Sequence, residues 1–594
     1  MALPRACPGS RDGNFYKEDV LKAVSTLSLF LIVILGAAQA GATNQAPDCS
    51  AATADPALIW PPNGKMVPVF VTGVTDPDGD PVTVRITAIH QDEPLAGNDP
   101  DATGLGTAIA TVRASRSGAG DGRAYRLKFQ ATDPAGLTCN GEVMVCVPHS
   151  KKSAACGDGG TTVESTSPRP RGAALVWSTY LGGSADELKL ADIEVDASGH
   201  AWIAGTTASK DYTGILDHPE EHEIFILDAF ASRLDPAGQL VHSMILGQPF
   251  QDEHIEGLAI GPSGAVSLTG WNDDFGDHDV IAAQIQADDL GGSFDHYIGE
   301  DNNEFAFAVT TDRLGNVYIA GTGSRFFPGF GGDFEGGHYV LKLAPNHDFV
   351  DIFPLEEAAG RPSAVAVDHA GNIYVTGVAQ AGGPPDVRVA KLDPSGNLLW
   401  SITLGGSQAE GSTSVKVDSA GRAWVAGWTD SPDFPVRGGR PYAGGRDAFL
   451  VRLTPGGAID VSTLFGGAGT DEAHDLALDA AGRPYLAGLT DSINFPLAGA
   501  LPGSFGAGSD AFVASFDFFG PILALTFSTR LGGGSFDAAY GVAVNPEGSF
   551  LWVSGLTRSP DFPTLNPWQP ALAGGADVFV TKIALGAPGK KPRK

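Results

Sequence analysis

Three phrases return in a fixed order through the carboxy-terminal two-thirds of this chain, and few folds accommodate them. The first is an apolar stretch, an Asp with Gly three places on, and a second apolar stretch closing on Gly, as in "VAVDHAGNIYVTG" (365–377), "VKVDSAGRAWVAG" (415–427) and "LALDAAGRPYLAG" (476–488). The second is "DAFLVRL" (447–453) or "DVFVTKI" (577–583), and the third is "LLWSITLGG" (398–406) or "LTFSTRLGG" (525–533). The turn glycines of the first phrase, Gly199, Gly264, Gly315, Gly371, Gly421, Gly482 and Gly548, follow one another at 50 to 66 residues. That period is long for a solenoid coil but suits four short strands with variable loops. One such sheet cannot bury both its faces, so neighbours must stack.

The local chemistry agrees. Asp followed three places later by Gly makes a tight hairpin, with Gly supplying the positive φ. Aromatics on the second strands (Trp202, Tyr318, Tyr374, Trp424, Tyr485 and Trp552) can wedge between adjacent sheets. Seven copies of each phrase make twenty-eight strands, which predicts an all-β fold with a seven-bladed β-propeller over residues 173–586. The count has one irregularity. "LVWSTYLGG" (175–183) precedes the first repeat, while the last repeat ends at 583 with no such strand after it. A ring explains both: residues 175–181 supply the outer strand of the last blade, alongside 577–583, leaving no open edge at the seam.

The phrases "STYLGG" (178–183), "TDSPDFP" (429–435), "TDSINFP" (490–496) and "TRSPDFP" (557–563) carry a further signal. They resemble the bacterial seven-bladed β-propeller repeat, abbreviated SBBP, over about four hundred residues. Blades two and three depart most, with "WNDDFGD" (271–277) in place of the DFP phrase. The resemblance implies a secreted or surface-displayed propeller and transfers no catalytic residue.

Residues 46–150 have a different texture. Alternating stretches such as "MVPVFVTGV" (66–74), "PVTVRITAI" (81–89) and "AYRLKFQAT" (124–132), separated by "DPDGD" (76–80) and Asn140-Gly141, predict an antiparallel sandwich. This region is similar to the immunoglobulin-like modules of secreted bacterial multidomain proteins. Four cysteines before residue 160, Cys49, Cys139, Cys146 and Cys156, allow three pairings. An extended 139–146 segment holds its ends ~23 Å apart, beyond the ~7 Å a disulfide allows, which removes one pairing. Of the other two, Cys49–Cys139 with Cys146–Cys156 is preferred. Asp76, Asp78 and Asp80, with Asp133 nearby, form a candidate Ca²⁺ site, since that ion takes six to eight oxygens. The plainer reading is a β-turn set by Pro77 and Gly79. Residues 151–172 are polar and aperiodic, a linker.

Basic residues, the apolar run 23–38 and Ala38-Gln39-Ala40 make residues 1–40 a signal peptide, with mature chain from Gly41. The alternative is an uncleaved anchor, but the run is short for a span. No later segment reads as membrane-spanning. A net charge of −31 excludes a nucleic-acid partner and favours a monomer that resists self-association. The tail 587–594 is basic and reads as a frayed end.

Chemistry is sparse. Acids stand before the inner strands as Asp186-Glu187, Asp252-Glu253 and Asp471-Glu472, with Glu304, Glu410 and Asp537 singly. On one rim they would bind a cation or a sugar, but a residue recurring in every blade more often serves the blade. "HPEEH" (218–222) lacks the Glu beside the first His that a zincin needs. The expectation is therefore an exported, non-enzymatic scaffold or adhesion-type protein binding an extracellular protein, glycan or surface ligand through its propeller faces, with no cofactor beyond the candidate Ca²⁺. The alternative is a carbohydrate-active hydrolase or lyase with a site on one rim.

Overall fold

The computed structural model describes residues 44–92, 101–103, 107–115, 122–148, 150, 156, 163–164, 172–214, 227–246, 251–273, 278–285, 293–298, 303–323, 337–355, 360–379, 383–502, 508–519 and 522–586. The expected leader (1–40), the basic tail (587–594), the "HPEEH" stretch and most of the 151–172 linker lie outside the described residues. Apart from one 3-10 turn, Tyr212–Gly214, every regular element described is a strand, so the fold is all-β.

Two four-stranded sheets are built before residue 165. One runs in the order Thr53–Asp55, Met66–Thr72, Ile109–Arg113, Ala102–Thr103; the other runs Thr138–Pro148, Gly122–Thr132, Thr83–Gln91, Val163–Glu164. Alternation along the strands sends Val69, Val112, Ile86, Leu127, Phe129 and Val145 into one shared core. Asp101, fully buried, accepts from Arg113 of the first sheet and from Arg123 of the second, at 3.0 and 2.5 Å. Disulfides join Cys49 to Cys139 and Cys146 to Cys156.

Seven four-stranded antiparallel sheets follow, the first six each built in chain order. Their first strands are Glu187–Val195, Asp252–Ile260, Phe305–Thr311, Arg361–Val367, Glu410–Val417, Asp471–Leu478 and Asp537–Val544. Each lies against the first strand of the next sheet, and the last, Asp537–Val544, lies against Glu187–Val195. The series therefore closes on itself. The seventh sheet takes its outer strand from the other end of the chain: Ala173–Leu181 pairs with Asp577–Leu585, Thr179 opposite Val580 and Trp177 opposite Lys582. The surplus strand at the start and the missing one at the end are the same strand.

The hydrophobic effect acts between sheets rather than within them. Trp202 packs with Leu258 and Val266 of the following sheet, Tyr374 with Val415 and Ala423, Trp424 with Leu476 and Leu486, and Trp552 of the seventh sheet with Ile193 and Ile203 of the first. Opposite these aromatics on the third strand stands a base. Arg233 covers Trp202, Lys342 Tyr318, Lys391 Tyr374, Arg452 Trp424 and Lys582 Trp552, at 4.6–5.3 Å from the ring centres. Each is a directly registered cross-strand pair, so cation–π attraction reinforces the ladder.

One irregularity repeats seven times. Every first strand slips register against its second: between Leu190 and Asp192, Ile255 and Gly257, Ala306 and Ala308, Pro362 and Ala364, Ser412 and Ser414, Ala473 and Asp475, and Ala539 and Gly541. A bulge inserts one residue and re-aims its neighbours. It sets which side chains the first strands present where they converge.

Candidate functional site

The acids that open the first strands are buried at sheet junctions and do not gather on an open rim. Glu187, Glu253, Glu304, Glu410, Asp471 and Asp537 are each at most 1% exposed. Glu187 accepts from Thr207 Oγ1, Ser209 Oγ and Gly183 N; Glu410 accepts from Thr429 Oγ1 and Gly406 N. Asp471 accepts from Ser492 Oγ and Gly467 N, and Asp537 from Ser559 Oγ and Gly533 N. The Thr and Ser at the close of the second strand and the second Gly of "LGG" are thus donors to one carboxyl group in the first, fifth, sixth and seventh sheets. The rest of the "TDSPDFP" phrase anchors the loop. Phe434, Phe495 and Phe562 are buried against Phe449, Phe512 and Phe579. These acids serve the repeat.

A different set of charges breaks the repeat. At the residue following the bulge the sheets carry Gly257, Ala308, Ala364, Ser414 and Gly541, but Asp192 in the first sheet and Asp475 in the sixth. Two places on, Ala259, Thr310, Ala366, Ala477 and Ala543 are matched by Glu194 in the first sheet and Lys416 in the fifth. Burial alone would lower the Lys416 pKa, but the fields of Asp475, Glu194 and Asp192 outweigh it and raise it, keeping the ammonium charged. Burial pushes Asp192 well up, helped by Asp475 and opposed by Lys416, and burial raises Glu194 as well. The first and fifth sheets are not neighbours in the series, so this mutual influence places the group at the centre around which the first strands converge. Asp475 is fixed from both sides, accepting from Ser414 Oγ at 3.0 Å and Val542 N at 2.9 Å.

The group is three acids and one base in a half-buried place where repetition alone would put small residues. Sequence reasoning passed over it. The signal was there, a lone charge in "IEVD", "VKVD" and "HDLALD" where other copies have Ala or Gly, but only register shows that those positions meet.

Aromatic and charged side chains border the starts of the first strands. His254 stacks on Trp271 at 3.9 Å, Trp271 Nε1 donates to Glu256, and Phe305 meets Trp271 edge-on. Burial lowers the His254 pKa, so a neutral imidazole is what stacks there. On the opposite arc Arg446 lies 3.6 Å over Trp428 and grips Asp430 and Glu472, while His474 stacks on Tyr540. Amphipathic surfaces of this kind suit polar ligands with apolar faces.

The candidate Ca²⁺ residues are placed otherwise. Asp76 Oδ1 accepts from the backbone N of Asp78 and Asp80, and Gly79 N donates to the Asp76 carbonyl, a closed β-turn. Asp133 makes its own turn, accepting from Leu137 N. Among the described residues no group of three or more acidic, His or Cys side chains is arranged to hold a metal ion. Nor, among the described residues, is any helix long and apolar enough to cross a membrane.

No family model matches the chain, and no curated protein matches it. Solved structures do. A protein of unknown function from Dyadobacter fermentans aligns over 70% of this chain and 99% of its own, at 11% identity and a TM-score of 0.36. A gluconolactonase from Xanthomonas campestris aligns over 54% of this chain and 93% of its own (11% identity, TM-score 0.28). A proposed 6-phosphogluconolactonase from Bacteroides uniformis aligns over 56% and 85% (11% identity, TM-score 0.34). The expectation of a non-enzymatic chain is corrected accordingly: chains named as lactonases are among its structural neighbours. Likeness at this level assigns it neither an activity nor a residue role.

Proposed function

We propose that residues 173–586 are a seven-bladed β-propeller of the SBBP kind, that residues 46–150 are an immunoglobulin-like module, and that the chain is an exported binding protein whose extracellular protein or glycan ligand seats where the first strands converge. Cyclic contact among seven first strands, with the outer strand of the seventh sheet drawn from the amino-terminal side, supports the propeller. A core shared by two small sheets supports the module. Two disulfides support export, because such bonds persist in oxidising compartments.

The observation that carries the binding reading is the central group Asp192, Glu194, Lys416 and Asp475. Seven equivalent positions need only small side chains to close a ring, and charges withdrawn from water rarely add stability. Their retention at one place is explained by a ligand that they recognise. The test is capture of arrayed glycans and immobilised surface proteins by the full chain. Lys416→Met should weaken capture at least about tenfold, the worth of one charge-assisted contact, and should lower the melting temperature as well, because three acids lose the base that balances them. Capture unchanged by Lys416→Met rejects the central site. Release of shortened oligosaccharides from a bound polysaccharide would move the reading to a carbohydrate-active hydrolase or lyase.

A further inference from the structure

The first Gly of "LGG" sits between two carboxyl groups from different sheets, and the arrangement recurs. At Gly182 these are Asp577 of the seventh sheet and Glu187 of the first; at Gly405, Asp386 and Glu410; at Gly466, Asp447 and Asp471; at Gly532, Asp510 and Asp537. A β-carbon added at Gly182 would lie 2.6 Å from both Asp577 Oδ1 and Glu187 Oε2. Both residues are at most 1% exposed.

The hydrogen bonds assign unequal roles. Asp577 is supplied as an anion: Oδ2 accepts from Ala573 N at 2.8 Å and Gln569 Nε2 at 2.7 Å, and Oδ1 from Gly574 N at 3.0 Å. Glu187 receives all its donors on Oε1, while the buried Oε2 accepts from none. The other groups facing the pair are Asp186 and Asp211 from the adjoining loops and the phenols of Tyr180 and Tyr212, which offer no positive charge. By contrast, Asp510 has the Arg530 guanidinium 3.5 Å away. Burial, then the Asp577 charge, pushes Glu187 up to about 8. Like charges in one pocket cannot both ionise cheaply.

We infer that Glu187 keeps its proton at the junction beside the seam and donates it from Oε2 to the Asp577 carboxylate, so that one hydrogen bond ties the first sheet to the sheet that closes the ring, and rising pH loosens the closure. The sign follows from the folded group binding a proton that the unfolded group, with its ordinary value of 4.5, has released. The contribution is whole below about pH 4.5 and is lost as pH climbs through about 8. Over that window the opening equilibrium grows by up to about tenfold per pH unit, the limit for one proton. At the alkaline end the proton passes to solvent and two buried carboxylates face each other.

Hydrogen exchange of the full chain between about pH 5 and about pH 9, corrected for intrinsic rates, is the test. Peptides covering 173–181 and 577–585 should lose protection as pH rises while 122–132, in a sheet remote from these carboxyl pairs, keeps it. In Glu187→Gln the amide donates in place of the acid, and protection at the seam should stay level across the range. Seam protection that is flat or rises with pH in the wild type overturns the inference, and this arm needs no variant to fold. A wild-type slope retained in Glu187→Gln overturns it too. Restoration of alkaline protection by added Ca²⁺, reversed by a chelator, would replace the proton with a cation and also overturn it.

Discussion

A single glycine explains much of the repeat's punctuation. Every second strand carries Gly opposite the last paired residue before the bulge, as Gly488 stands opposite Ala473 and Gly427 opposite Ser412. The bulge presses the preceding carbonyl of the first strand into the partner, and a β-carbon at Gly488 would collide with the Glu472 carbonyl oxygen and crowd Phe512. Backbone cannot yield as a long side chain can. Gly488→Ala should therefore cost about 1–3 kcal/mol, the range for overpacking a tight interior, read as a lower urea midpoint at unchanged slope. Gly383→Ala is the control for crowding, because nothing lies within 4 Å of its added carbon. The sequence announced a Gly at these places; that it answers a bulge rather than a turn was legible only in the register. The same limit applied to the acids. Their recurrence was visible, but not that Thr207, Ser209 and Gly183 would meet on one carboxyl.

At the scale of elements, the strand Ala173–Leu181 has the largest consequence. Ser178 and Thr179 are buried, Ser178 Oγ shares a 2.8 Å hydrogen bond with Thr581 Oγ1, and Tyr180 OH donates to the Ser559 carbonyl. A chain starting at Gly182 leaves the Asp577–Leu585 edge, six of whose nine residues are apolar, open to pairing with other molecules. Such a truncation should self-associate on size exclusion, whereas one starting at Gly172 should elute as a single smaller species. A peptide of residues 173–181 added in trans should reverse the association. If both truncations elute alike, the strand is dispensable for closure.

For the whole molecule, the chain builds two kinds of structure by two routes to stability. The seven sheets have no cysteine and rely on large aromatics shared between neighbours. The smaller pair of sheets uses crosslinks, and Cys49–Cys139 closes a separation of 90 residues. Chain-entropy reasoning puts the loss of such a loop closure at about 4–5 kcal/mol. Replacing both cysteines by Ala should expose residues 122–148 to hydrogen exchange at lower urea than in the wild type, while residues 471–490 respond as before. Coincident loss in both regions would mean the two structures unfold as one. The number of sheets, their strand order and the strand that fastens the seam were all set by the sequence alone, because period-two alternation, turn glycines and phrase order are local properties that any copy states for itself. Which charged residues share a place was decided only by the tertiary structure. Asp192, Lys416 and Asp475 lie hundreds of residues apart at most and dozens at least, and Glu187 and Asp577 stand at opposite ends of the repeats. Their meeting depends on a ring closing and on a one-residue bulge in each inner strand. Charges interact through space, and a repeat read along the chain carries no measure of the distance across it.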